Sequence, residues 1–312
     1  MFKQVIEIYD LLDRATVRGI DVVTFFKNQC LTSIEMNKIV GDTGSTDFIK
    51  IRIPGSNGKT RQGSAPTLGI IGRLGGIGAR PERIGLVSDA DGAVTALACA
   101  LKLVVMQQHH DVLKGDVILS THICPNAPTQ PHEPVPFMGS PVDIATMNKY
   151  EVDPEMDAIL SIDTTKGNRI ANFKGFAITS TVKQGYILRV SEDLLDLMEV
   201  VTGTRPQVVP LSIQDITPYG NDLYHINSIL QPWLVTDSPV VGVALTTETP
   251  VPGCGTGASH CGDIEVAARF CIEVAKSFGD RQCRLYDPNE FTTLQRLYGS
   301  MEHLRKRTCL TS

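Results

Sequence analysis

The chain has 312 residues, 42% of them hydrophobic and 20% charged, with a formal net charge of -5. This is an ordinary globular composition, and no basic cluster is strong enough to mark a binder of nucleic acid or anionic lipid. No run of about 18 apolar residues occurs that would cross a membrane. The N-terminal Lys3 and Glu7 interrupt what a secretory signal would need as its apolar core, and the eight cysteines form no C-x-x-C pair, so a cytoplasmic location is expected.

In chain order, residues 4–15 and 19–29 carry helical apolar spacing through Val5, Ile8, Leu11 and Leu12, then Ile20, Val23 and Phe26. Phe48 to Ile53 alternates as a strand. The adjoining Gly55-Ser56-Asn57-Gly58-Lys59-Thr60 mimics a phosphate loop, but Ile53 stands where that motif needs its first glycine, so a solvated turn is expected. Thr67 to Ile71 reads as an apolar strand. Gly72, Gly75, Gly76 and Gly78 then mimic a dinucleotide loop, but Pro81 and a strand expected at Ile84 to Val87 leave no room for its crossover helix. The glycines are expected to let this loop come close to the acidic turn at Asp89 and Asp91.

That turn, Ser88-Asp89-Ala90-Asp91-Gly92, precedes an alanine-rich helix over 92–110. Its aspartates either cap that helix or sit at a ligand site where a strand ends. A strand over Val117 to Thr121 leads into a loop, 124–141, with six prolines and the adjacent His132 and Glu133. Asp157 to Ile162 reads as a strand ending at Asp163, and 169–183 as a hairpin. Ser191 caps a helix to Val201, Val208 to Ser212 is a short strand, and Tyr219 to Asp222 is a turn before a further helix. Pro239 to Leu245 is a buried strand leading through a loop with Cys254, His260 and Cys261 to a helix over Ile264 to Phe278. Asp287 and Pro288 open the last helix, and Arg305, Lys306 and Arg307 complement the dipole at its end. Strands alternate with helices without repeat or linker. One α/β domain over 1–312 is expected, a mostly parallel mixed sheet flanked by helices.

Asp89, Asp163 and His260 come after strands or strand-end loops, and carboxylates converging with imidazole on one sheet edge form the ligand set of a hydrolytic zinc or manganese site. Singly, Asp163 and His260 have plainer uses, in a turn or against backbone.

The order of elements resembles the co-catalytic zinc aminopeptidases and their carboxypeptidase relatives, in particular the glutamyl (tetrahedral) aminopeptidase group, and also a bacterial family of unknown function near them. The resemblance spans about Phe48 to Phe278. It implies the three-layer, phosphorylase/hydrolase-like architecture of that group. It places the metal-bridging aspartate on Asp89, the next aspartate ligand on Asp163 and the last histidine ligand on His260. Gly220-Asn221-Asp222 resembles that group's glycine-threonine-aspartate turn.

The pattern also departs from the group. Arg73 stands where the first histidine ligand should be, and Ile123, Cys124, Pro125 and Asn126 stand where the paired glutamates should come after their strand. Three outcomes stay open. The site is rebuilt with His122, Cys124, His132 or Glu133; or Arg73 supplies the positive charge and binds a small carboxylate without metal; or the chain is a non-catalytic binding protein. The first is favoured, because the proline-rich loop keeps an acid and a histidine side by side. It makes the chain a hydrolase of an amide or peptide-type bond in a small, acidic substrate. Glu133 is then catalytic, Arg73, His122 and His132 bind substrate, and Asp89, Asp163 and His260 hold Zn or Mn, as one ion or none rather than two. Expected partners are a small-molecule substrate and further copies of the chain in a homo-oligomer, with neither nucleic acid nor membrane.

Overall fold

Four parallel strands form the centre of the protein, seen in a computed structural model that describes residues 1–305. The elements run α1 (Phe2–Leu12), α2 (Gly19–Asn28), β1 (Ile34–Gly41), β2 (Gly44–Ile53), β3 (Leu68–Gly72), α3 (Asp91–Gln108) and β4 (Val117–Ile123). Then come β5 (Thr129–Gln130), β6 (Phe137–Met138), α4 (Ile144–Glu151), β7 (Ala158–Thr164), β8 (Gly175–Thr179), β9 (Val182–Lys183), β10 (Tyr186–Ile187) and α5 (Glu192–Thr202). The chain closes with β11 (Val208–Val209), β12 (Val240–Thr246), α6 (Cys261–Gly279) and α7 (Pro288–Tyr298). Lys306, Arg307 and Cys309 lie outside the described residues.

The main sheet runs β1-β2-β4-β3-β7-β12-β8-β11, with β9 and β10 attached beside β12. β4, β3, β7 and β12 are mutually parallel, β1 and β2 join antiparallel to their neighbours, and β8 runs antiparallel to β12 with β11 parallel to it. The central strands are buried along nearly their whole length because both sheet faces are covered. On one face α1, α3 and α6 pack together, and α3 is buried nearly all round, which its small alanines permit. On the other face short 3-10 turns at Ile213–Ile216 and Gln231–Val235 bury Trp233, whose Nε1 donates to the Ile216 carbonyl at 2.7 Å. The result is a mixed sheet between flanking layers, a three-layer α/β architecture. No helix among the described residues is long and apolar enough to cross a membrane.

Several local expectations fail for visible reasons. β1 gives no apolar alternation to read, because it is an edge strand with no buried face. Ile84 to Val87 is no strand: Ile84 is exposed, Gly85 takes a φ of +101°, and only Val87 makes a bridge, to Thr256. β8 and β9 do not form a hairpin with each other, since each pairs with β12. β11 keeps two residues, because Pro210 has no N–H to extend it. The segment after Tyr219 forms no α-helix but a loop pinned by side chains, with Asp215 accepting from the Ile226 amide at 2.7 Å and Asn227 from the Ile229 amide at 2.9 Å.

The Gly55–Thr60 turn is not merely solvated. It wraps a carboxylate of the chain itself: Asp116 accepts from the amides of Gly55 and Thr60 and from the Thr60 hydroxyl at 2.7–2.8 Å. A Cβ on Gly58 would stand 1.9 Å from the Asp116 Oδ1. Gly58→Ala is therefore expected to break this cradle and cost about 1–3 kcal/mol, read from urea denaturation. An unchanged midpoint would mean that the carboxylate can move aside freely.

Candidate active site

The parallel strands all end on one side, which is where open α/β sheets place their ligands. A cavity of about 840 Å³ opens there. Asp89 and Asp163 both line it, as do His122 and Cys124 from the end of β4 and Tyr219, Asn227 and Ser228 from the loop after β11.

Asp89 sits in a 3-10 turn, Ser88–Ala90, directly before α3. Neither it nor Asp91 caps the helix, which has no side-chain cap. The turn is pinned to the 252–255 loop: the Asp89 amide donates to the Gly253 carbonyl at 3.0 Å, and the Ser88 hydroxyl donates to Pro252 and Gly253. Gly253 is obligatory there, since a Cβ would meet the Asp89 carboxylate at 2.6 Å. Gly72 has the matching role on β3, where a Cβ would stand 2.4 Å from the Gly92 carbonyl, so the glycine does let the strand end approach the acidic turn. Burial pushes the Asp89 carboxyl well above the usual range, and the charges of Asp163 and Asp91 push the same way.

Asp163 ends β7 and is 1% exposed. Its Oδ2 accepts from the Ser228 hydroxyl at 2.9 Å and its Oδ1 from the Thr164 amide at 2.8 Å. Burial raises it to about 6, against the lowering effect of Arg73. His122 is buried and held neutral, its pKa lowered to about 3 by burial and by Arg73. Its Nδ1 has no hydrogen-bond partner among the described residues, and the same is true of the cavity-lining Asn227 Nδ2.

Arg73 does not point into this cavity. It is fully buried, and its Nη1 donates to Glu151 Oε2 at 2.5 Å and to Asn148 Oδ1 at 3.1 Å. One nitrogen of its guanidinium is thus committed to α4, while Nε and Nη2 have no hydrogen-bond partner among the described residues; the side chain does not line the cavity where a substrate carboxylate would sit. Burial raises Glu151 to about 7, with Arg73 opposing. A second buried ion pair lies beside Asp89: Lys166 Nζ pairs with Asp91 and also donates to the Ala258 carbonyl at 2.9 Å.

Three expected residues stand apart from the cavity. His260 is exposed at the N-terminus of α6, its Nδ1 3.3 Å from an Asp263 carboxylate oxygen. Glu133 is exposed on the proline-rich loop. His132 stacks on Phe137 with ring centroids 3.4 Å apart, and its Nδ1 lies 3.1 Å from the Val135 carbonyl. None of the three lines the cavity. Glu151, Lys166 and Ser228 carry no motif. The one signal for Lys166 was its place three residues beyond Asp163.

A co-catalytic metal pair does not fit these donors. Among the described residues no three His, Cys, Asp or Glu side chains converge to hold an ion. His260, expected as a ligand, faces solvent, and Arg73 is paired with Glu151.

The raised carboxyls have a consequence for stability. A group with a raised folded-state pKa stabilises fully below its unfolded value, and that contribution fades as pH climbs through the folded value. For Glu151 the window runs from 4.5 to about 7, for Asp163 from 3.8 to about 6, and Asp89 extends it upward. His122 opposes them, its contribution fading as pH falls below 6.5. Glu151 and Asp163 outweigh His122 by on the order of 1 kcal/mol, and Asp89 acts in the same direction, so the protein is expected to be more stable at pH 5.5 than at pH 7.5. Asp89→Asn should flatten the trend in thermal melts, and a melting temperature that rises from pH 5.5 to 7.5 would contradict it.

Solved structures share the fold. The bottromycin maturation enzyme BotP in complex with Mn is 11% identical, with a TM-score of 0.52 over 89% of this chain and 70% of that one. A second structure of BotP gives 12% and 0.53 over 89% and 69%. A glutaminyl cyclase from an Acidobacteriales bacterium gives 12% and 0.51 over 90% and 94%. At such identities the likeness is one of fold. No curated protein sequence matches the chain. A family model described as "protein of unknown function (DUF1177)" matches residues 37–308, and the chain belongs to that family.

Proposed function

We propose that the cavity is the active site of a hydrolase-type enzyme acting on an amide or peptide-type bond of a small molecule, with protein carboxyls as its acid and base. The observation that carries this is the placement of two buried carboxyls, Asp89 and Asp163, on the wall of one cavity at the strand ends. Their surroundings separate their affinities for a proton, and such a split assigns acid and base. At neutral pH Asp163 is the anion and takes a proton from the attacking water. Asp89 holds its proton and delivers it to the departing nitrogen. Ser228 orients Asp163 by donating to its Oδ2. Asn227 Nδ2 and His122 Nδ1 are uncommitted groups that can orient polar atoms of a bound substrate.

The neighbouring folds support the chemistry by analogy, as a maturation enzyme and a cyclase. An acidic substrate loses its support, because it would meet Asp89 and Asp163 where Arg73 was expected. The test is a panel of small amides and dipeptides, assayed with the wild type and with Asp163→Asn. Turnover by the wild type that the variant lacks supports the proposal, and equal turnover by both removes it.

A further inference from the structure

Two buried cations flank the cavity. Arg73 comes directly after Gly72, which lies in register with Ile162 on the neighbouring parallel strand, and the Arg73 amide donates to the Ile162 carbonyl at 2.7 Å. Its residue therefore stands next to Asp163. Lys166 comes three residues after Asp163 and pairs with Asp91, which stands two residues after Asp89. Each cation is held by an anchor that is itself buried, Glu151 and Asn148 for Arg73 and Asp91 for Lys166, which also donates to the half-buried Ala258 carbonyl. A buried charge persists only where it is paired and hydrogen-bonded. Neither cation is 2% exposed, and neither can swing out to solvent.

We propose that Arg73 and Lys166 are resident cations that take the electrostatic place of a divalent metal pair, one beside each cavity aspartate, so that this site takes up no divalent metal. Fixed positive charges behind Asp89 and Asp163 satisfy part of the field that would attract a dication and repel one that enters. A metal site can lose its ions and keep its carboxylates only if positive charge comes from elsewhere, and here it is built into the chain. The competing arrangement is a single ion bridging Asp89 and Asp163.

The proposal concerns the same cavity as the functional reading, but metal binding is read without substrate, so the two can fail separately. The full chain, dialysed against chelator, is titrated with Mn²⁺, monitored by the free-ion electron paramagnetic resonance signal, and with Zn²⁺ by chelator competition. The wild type and Asp89→Asn/Asp163→Asn should titrate alike, with no stoichiometric site. Arg73→Met/Glu151→Gln removes the cation together with its anchor charge and leaves no buried charge unpaired. It should gain a Mn²⁺ site at least about tenfold tighter than any in the wild type, and adding Asp163→Asn should abolish it. Lys166→Met/Asp91→Asn makes the same comparison on the other side if the first pair does not fold. Stoichiometric binding by the wild type that is lost in Asp163→Asn would overturn the proposal. So would folded charge-neutral variants that gain no site.

Discussion

Arg73→Ala is expected to cost the fold about 3–5 kcal/mol, because it strips the partner from a carboxylate that is itself fully buried. Glu151 has no route to water. Its Oε1 lacks a hydrogen-bond partner even in the intact protein, so the variant must either protonate it or open the structure around it. The loss also travels. Asn148 accepts from Arg73 and donates through Nδ2 to the Gln231 carbonyl at 2.9 Å, which ties β3 through α4 to the turn that buries Trp233. Arg73→Met/Glu151→Gln, which fills the volume without charge, should recover most of the loss, since a buried ion pair contributes less than its breakage costs. Urea denaturation of the three proteins checks both statements. An Arg73→Ala within about 1 kcal/mol of wild type would mean that Glu151 is already neutral and the pair contributes little.

Much of this fold was legible because its segments obey short-range rules. The helices α1 and α2 show their apolar spacing, Ser191 caps α5 by accepting from the Leu194 amide, and Asp287 before Pro288 caps α7. β3, β4, β7 and β12 stand out because each is built on a run of Val, Ile and Leu. The illegible parts owe their shape to distant partners. The loop from Ser212 to Gln231 looks helical in places, yet its backbone amides are satisfied by Asp215 and Asn227 in place of a helical ladder. The candidate site divides in the same way. Asp89 and Asp163 could be found because each closes an apolar run or opens a helix. Glu151 and Lys166 sit among ordinary polar residues, and only tertiary structure brings them to acids and bases 75 or 78 positions away. His260 and Glu133 drew attention through chemistry alone, and chemistry does not reveal that a side chain faces solvent.

Asp163→Asn carries the largest expected effect on activity, a loss of about 10²–10⁴ in kcat/KM on whichever small amide the wild type turns over. The amide keeps the shape of the carboxyl, its oxygen can still accept from the Thr164 amide and its NH2 can donate to the Ser228 hydroxyl, so the fold and the cavity survive while the base is gone. The pH profile separates this from a merely positional defect. In the wild type kcat/KM should rise through pH about 6 as Asp163 loses its proton, and hold until Asp89, raised far above the usual range, ionises. In the variant the limb near pH 6 should disappear from whatever activity remains. Asp89→Asn should do the reverse, keeping that limb and lowering the rate by removing the acid. His260→Ala and Glu133→Ala provide the contrast, since both side chains lie outside the cavity and their removal should leave kcat/KM and its profile unmoved. If His260→Ala abolishes turnover while Asp163→Asn retains it, the chemistry lies at the α6 terminus and the carboxyl pair is structural.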